Sequence, residues 1–177
     1  MHGVDRWSVG CACTPGKSHW KDALRCALTQ LAERADVLFE QYAGQTLSDP
    51  WVARDDALAL RNGWEIPERF WMRHGLTERL DVAHIQQAEL LLEAEYWLQC
   101  SQTSCGFFFE DLDRIEPVNI IAAARRAISL FWLATGYDLQ RRFLKDLEQT
   151  RSWRTDRTGV DLYHALPVVP ENLLPPQ

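Results

Sequence analysis

The sequence predicts an all-α fold: a single helical domain of about five or six helices with an extended Pro-rich C-terminal arm. Apolar residues recur at steps of three and four over long stretches, and no stretch alternates convincingly with a period of two. The 177 residues, 46% of them hydrophobic, fit one domain with a core large enough to be stable. We predict a flexible leader at 1–17, a helical domain at 18–158 and the extended arm at 159–177.

The first half of the chain predicts three helices. Ser18 is a plausible N-cap for a helix of about 25 residues that Gly44 ends, with apolar residues from Trp20 onward on one face. The segment 48–50 (Ser-Asp-Pro) places a cap before a proline in the first helical position, which predicts a second helix that ends near residue 62. Residues 65–73 fit a third, short helix.

The second half predicts three further helices and the arm. Residues 77–100 form a long helix with Thr77 as its cap, and 101–113 connect it to a strongly apolar helix at 117–135. Residues 137–153 form the last predicted helix. The arm holds four of the chain's eight prolines, and proline cannot continue a helix, so we expect it to run extended along a surface.

The charge pattern argues against nucleic-acid binding. The formal net charge is -6, whereas proteins that bind phosphate backbones are basic. Residues 51–115 hold 6 basic and 12 acidic groups, while the parts on either side are nearly balanced. We therefore expect one acidic face in the middle third of the chain.

Composition also predicts where the protein works. No stretch reaches the roughly 20 apolar residues of a membrane helix, and residues 1–18 lack the pattern of a secretory signal. The five cysteines are then expected to be reduced thiols rather than a disulfide framework. These observations predict a cytoplasmic protein without a membrane partner.

The sequence contains only incomplete matches to catalytic and metal-binding motifs. Residues 10–18 have one residue too many between their glycines for a phosphate-binding loop. The pairs Cys11/Cys13 and Cys100/Cys105 lack the two-residue spacing typical of zinc sites. We expect no catalytic residue, cofactor or metal site on this chain.

One alternative is an all-α, magnesium-dependent nucleotide pyrophosphohydrolase. Glu89, Glu93 and Glu95 lie on the long helix, and Glu116-x-x-Asn119 resembles the Glu-x-x-Asp of that family's second helix. Carboxylates from two helices are suited to magnesium, which prefers oxygen ligands. An acidic, solvated helix face would give the same pattern.

Four short segments carry a different resemblance. They are 18–22 (Ser-His-Trp-Lys-Asp), 93–96 (Glu-Ala-Glu-Tyr), 116–120 (Glu-Pro-Val-Asn-Ile) and 159–164 (Gly-Val-Asp-Leu-Tyr-His). In this order, and in a chain of this length, they resemble the gamma subunit of the soluble methane monooxygenase hydroxylase and related short-alkane diiron monooxygenases.

The resemblance implies a non-catalytic small subunit that stabilises a multi-subunit diiron hydroxylase oxidising methane or other short hydrocarbons with O2. The partners would be larger alpha and beta subunits, with the diiron centre on a partner. Eight tryptophans are a surplus for one small core, and tryptophan is enriched at interfaces. A third hypothesis is an unrelated helical interaction protein, which would explain the same surplus.

On the subunit hypothesis we expect the docking face to use the surplus tryptophans and two of the resembling segments. The predicted interface residues are Trp20, Trp51, Trp64, Trp71, Trp97, Pro117, Asn119, Val160 and His164.

Overall fold

The computed structural model describes residues 19–167, and this part of the chain is all α-helical with no strands, as predicted. It contains seven α-helices: α1 Trp20–Ala43, α2 Pro50–Arg61, α3 Pro67–His74, α4 Val82–Ser101, α5 Ile115–Thr135, α6 Gln140–Leu147 and α7 Gly159–Ala165. Two short 3-10 turns lie at Thr77–Arg79 and Ser104–Phe107. The predicted leader at 1–17 lies outside the described residues.

Helices α4 and α5 form the antiparallel centre of the fold. The side-chain amide of Gln87, near the start of α4, donates to the carbonyl oxygen of Ala134, near the end of α5, over 2.7 Å. Small buried residues such as Ala124 and Ala127 let the backbones approach, while Ile121 and Phe131 fill the space around them. The α4–α5 contact is the most extensive between helices of the described chain.

Helix α5 is long and apolar enough, by length and composition, to cross a membrane, which the sequence analysis did not anticipate. Half of its most apolar window is buried inside the bundle. Arg125, in the middle of the helix, donates to the carbonyl oxygens of Tyr163 and Leu166 at 3.2 and 3.1 Å. Residues of α5 are thus engaged by other parts of the same chain.

Helix α1 packs its predicted apolar face against this centre. Trp20, Leu24, Leu31 and Phe39 are all buried on that face. The indole N–H of Trp20 donates to the carbonyl oxygen of Glu110 over 3.3 Å, which satisfies the polar edge of a buried ring. The three- and four-residue spacing of α1 therefore correctly identified one wall of the core.

Helix α2 begins as its sequence predicts, and α3 is fastened beside it. The carboxylate of Asp49 accepts hydrogen bonds from the backbone N–H groups of Trp51 and Val52, both at 3.1 Å, and Pro50 occupies the first helical position. At the end of α3, the buried imidazole of His74 places Nε2 3.0 Å from Oδ2 of Asp56 on α2. The two short helices are thus joined by a polar contact as well as by apolar packing.

Two helix boundaries differ from the prediction by five residues or more. Helix α4 starts at Val82 rather than near Thr77, because the Asp81 side chain caps it by accepting the N–H of His84 at 2.9 Å. Helix α6 ends at Leu147 rather than near residue 153. The buried carboxylate of Asp111 accepts hydrogen bonds from residues 152 and 153, which holds this segment in a turn instead of a helix.

The predicted C-terminal arm begins with a helix. Thr158 and Asp161 form a reciprocal capping box that starts α7, so residues 159–165 are helical rather than extended. The first proline of the arm, Pro167, comes just after this helix. Residues 168–177 lie outside the described part of the chain.

We predict that Gly106→Ala destabilises the fold by about 1–3 kcal/mol. Gly106 is buried where the Ser104–Phe107 turn meets α5, and an added Cβ would overlap the side chain of Ile120. Urea denaturation measures the free energy of unfolding. Ser104→Ala, in the same turn but exposed, is the matched control and should change it by less than about 0.5 kcal/mol. Equal effects of the two substitutions would contradict this close approach.

Candidate functional site

A groove of about 670 Å³ lies between α2 and α4. Its apolar surface comes from Ala57, Leu58 and Leu60 on α2 and from Leu92 and the ring of Tyr96 on α4. A mostly apolar concavity of this size, with a few polar groups, is the usual form of a binding site. We therefore take it as the candidate functional site, the α2–α4 groove.

Helical spacing places the lining residues on facing stripes. On α2, Arg54, Leu58 and Arg61 follow each other at steps of four and three residues. On α4, the lining residues Glu89, Leu92, Glu93, Tyr96, Gln99 and Cys100 follow the same steps. Residues three and four apart share one face of a helix, so each helix presents one mixed apolar and charged face to the groove.

Arg61 and Glu93 form a fixed wall of the groove. The guanidinium of Arg61 is ion-paired with the carboxylate of Glu93 and lies 3.8 Å from the ring centre of Tyr96. The indole N–H of Trp97 donates to the other oxygen of Glu93 over 2.7 Å. These contacts hold a charged side chain from each helix in one arrangement before any ligand binds.

Arg54 is held at several points on the same face of α2. Its guanidinium donates to Oδ1 of Asp55 over 2.8 Å and lies 4.8 Å from the ring centre of Trp51. Its Nη1 atom is 3.9 Å from Oε2 of Glu95 on α4. Trp51 in turn donates to Glu40 of α1 over 2.8 Å, so α1, α2 and α4 are linked by this set of side chains.

Glu95 is a buried carboxyl group behind the groove. The residue is only 1% exposed, and within the described part of the chain its Oε1 atom has no hydrogen-bond partner. The pKa of Glu95 is raised to about 7, mainly by burial and also by the negative charge of Asp36 on α1, while Arg54 opposes the shift. Burial also raises the pKa of Asp36. Glu95 can therefore gain or lose a proton near neutral pH.

The carboxylates of the pyrophosphohydrolase hypothesis do not meet. Glu89 and Glu93 line the groove, whereas Glu116 and Asn119 begin α5. Because α5 runs antiparallel to α4, with Gln87 beside the far end of α5, its first turn lies at the opposite end of the pair. Residues 19–167 contain no group of three or more His, Cys, Asp or Glu side chains placed to hold a metal.

The predicted interface residues occupy three different environments. Trp20, Trp71 and Pro117 are buried in the chain's own core, because neighbouring helices and turns cover them. Trp51, Trp97 and Val160 are half-buried, and Trp64, Asn119 and His164 are exposed. No contact with a partner is present, so the interface itself stays a prediction.

Sequence reasoning missed the arginines and Tyr96 of the groove. The spacing of Arg54 and Arg61, seven residues apart on a predicted helix, places them on one face. Glu89 and Glu93, four residues apart on the later predicted helix, likewise share one face. The sequence does not indicate that these faces of α2 and α4 meet, because their contact depends on how the two helices cross.

We predict that Glu95→Gln changes how stability depends on pH. The pKa of the Glu95 carboxyl group is raised to about 7 in the folded protein from 4.5. The folded protein therefore binds the Glu95 proton more tightly than the unfolded chain does. The free energy of unfolding therefore falls as pH rises through that interval. The glutamine variant should lack this loss and become more stable than the parent by about 1–3 kcal/mol near pH 8.

Urea denaturation at several pH values between about 4.5 and 8 measures the effect. Glu89→Gln, on the same helix but exposed, should differ from the parent by less than about 0.5 kcal/mol throughout. A constant difference between Glu95→Gln and the parent over this range would show that Glu95 does not titrate as described.

Comparison with known proteins corrects the resemblance drawn from the four short segments. A domain of unknown function, DUF3536, matches residues 17–174, nearly the whole chain. No curated protein and no solved structure matches the chain significantly. The identification with a monooxygenase gamma subunit was wrong, because it rested on short segments without a single metal or substrate ligand. The chain belongs to the DUF3536 family.

Proposed function

We propose that this chain is a helical accessory domain that acts by binding another polypeptide. The observation that carries the proposal is a concentration of large apolar side chains in solvent where α2 leads into α3. Trp64, Ile66 and Met72 are 77%, 60% and 84% exposed, within nine residues of each other in the sequence. Together we call them the α2–α3 apolar surface.

This surface is held in place rather than loosely attached. The backbone N–H of Trp64 donates to the carbonyl oxygen of Ala59 over 2.9 Å, which anchors the connection to α2. Arg73 on α3 donates to Glu65 over 2.8 Å, so the connection is anchored to α3 as well. Large apolar side chains exposed on an ordered segment favour a protein interface, where tryptophan and methionine are enriched.

The family supports one kind of partner. DUF3536 is associated with glycosyl hydrolases. We therefore propose that the polypeptide bound by this domain is a glycosyl hydrolase, whose apolar surface would cover the α2–α3 apolar surface. The expected gain is stabilisation of the bound assembly by burial of apolar area.

No observation favours the magnesium-dependent hydrolase as a second function. Gln87 of α4 lies beside the end of α5, so Glu89, close to Gln87, is far along the pair from Glu116 in the first turn of α5. Glu93 is already engaged by Arg61 and Trp97. The diiron centre and the alpha and beta subunits were expected from the resemblance alone and stay untested predictions.

We propose that the domain works inside the cell. Cys26, Cys100 and Cys105 are all free thiols in the described part of the chain, and reduced cysteines are typical of the cytoplasm.

The proposed function predicts that the chain is captured from its native host together with a glycosyl hydrolase. The double variant Trp64→Ser/Met72→Ser should lose most of that partner, because both exposed apolar side chains are removed. Mass spectrometry identifies and quantifies the partner, and circular dichroism checks that the variant remains helical.

Val37→Ser is the matched control, because Val37 is also exposed, at 63%, but lies on α1 away from the α2–α3 apolar surface. It should keep the partner at the parent level. Recovery of the parent chain alone as a monomer would contradict the proposal, as would equal capture by the double variant and the parent.

A further inference from the structure

We infer that the α2–α4 groove receives a basic amphipathic helix presented by the partner polypeptide. This inference rests on the proposed function and deepens it, because it names the structural element and the charge by which the partner is recognised. The α2–α3 apolar surface would then be the continuation of the same interface.

The shape of the groove fits a short helix. Its α4 side runs from Glu89 to Cys100, which at 1.5 Å per residue is about 17 Å or three helical turns. Leu58 on α2 supplies exposed apolar surface, at 49%, whereas Leu92 on α4 is only 7% exposed and adds little. Grooves between two helices with this character accept the apolar face of a third helix through residues at i, i+3, i+4 and i+7.

The interface would also be continuous with exposed apolar surface. Leu58 lies in the last turn of α2, and Trp64 comes three residues after the last residue of that helix. A partner helix seated against Leu58 would thus bring the rest of its polypeptide toward Trp64. This continuity favours a polypeptide over a small molecule as the occupant.

The charge left facing outward is negative. The groove lining carries two positive side chains, Arg54 and Arg61, and three negative ones, Asp55, Glu89 and Glu93. Arg61 pairs with Glu93 and Arg54 with Asp55, while Glu89 is exposed and has no ion-pair partner among the described residues. The Asp55 side chain, although paired, is 69% exposed.

The surrounding chain has the same sign of charge. Residues 51–115, which contain both groove helices, hold 12 acidic and 6 basic groups. The complementary partner therefore carries lysine or arginine beside its apolar face, which speeds association and excludes acidic helices.

The groove is prepared for such a ligand. Arg61, Glu93 and Tyr96 are already fixed against each other, so binding need not order these long side chains. An occupant can place its apolar face on Leu58 and its basic groups near Glu89 and Asp55. Little free energy is then spent on rearranging the groove.

The test uses two designed helical peptides of about 18 residues, which is long enough to span the groove. Both carry the same leucine face, and the other face is lysine-rich in one peptide and glutamate-rich in the other. Each is labelled with fluorescein and titrated with the full chain at about 0.15 M salt, where distant surface charges are screened. We expect saturable one-to-one binding of the basic peptide, about tenfold or more tighter than that of the acidic peptide.

Two pairs of variants separate the groove from general charge attraction. Leu58→Gln should weaken binding of the basic peptide about tenfold, whereas Val52→Gln, on the same helix and 50% exposed outside the groove, should not. Glu89→Lys should weaken it similarly, whereas Glu148→Lys, an exposed site at the end of α6, should not.

Equal weakening by groove and control variants would overturn the inference, since it would mean attachment by net charge alone. Failure of both peptides to bind would also overturn it. If the chain still captured a glycosyl hydrolase in that case, the proposed function would stand and only the groove assignment would fall. If the basic peptide bound specifically to the groove but no glycosyl hydrolase was captured, the groove assignment would stand and the proposed partner would fall.

Discussion

The burial of α5 is the constraint on which the rest of the structure depends. This helix is apolar over a length that could span a membrane, so in water it must be covered on most sides. Helix α4 covers it most extensively, and α1, α7 and the Ser104–Phe107 turn cover the remainder. Because one side of α4 is used in this way, its other side is left for α2.

The α2–α4 groove exists because α5 packs on one side of α4 and α2 packs on the other. Helix α2 has 12 residues and α4 has 20, and the two helices touch only lightly. The shorter helix therefore covers part of the outer face of α4 and leaves the α2–α4 groove beside it. Charged side chains from both helices hold its walls, while Glu95 is placed behind them without a partner for Oε1. The site is thus a consequence of how the core is covered, and not of one sequence motif.

The sequence predicted the parts of the fold that depend on local pattern. The apolar spacing of α1 and the capping of α2 by Asp49 were readable, since these signals lie within a few residues of their effect. The end of α6 was not readable from local sequence, because it is set by Asp111, 41 residues before Ser152. The Asp111 carboxylate accepts a hydrogen bond from the Ser152 hydroxyl over 2.7 Å. Helix α7 did have a local signal, the Thr158-x-x-Asp161 box, but the prolines after it favoured an extended arm. Asp36, Arg54 and Glu95 lie on three different helices, so no local pattern could show that they meet.

The most direct test of the account is alkylation of cysteine thiols in the free chain and in the chain bound to its partner. Cys100 lines the α2–α4 groove, whereas Cys26 and Cys105 are exposed outside it and serve as internal controls. If the groove is the binding site, the bound partner slows alkylation of Cys100 and leaves the rates at Cys26 and Cys105 unchanged. An unchanged rate at Cys100 in a saturated complex would show that the partner binds elsewhere.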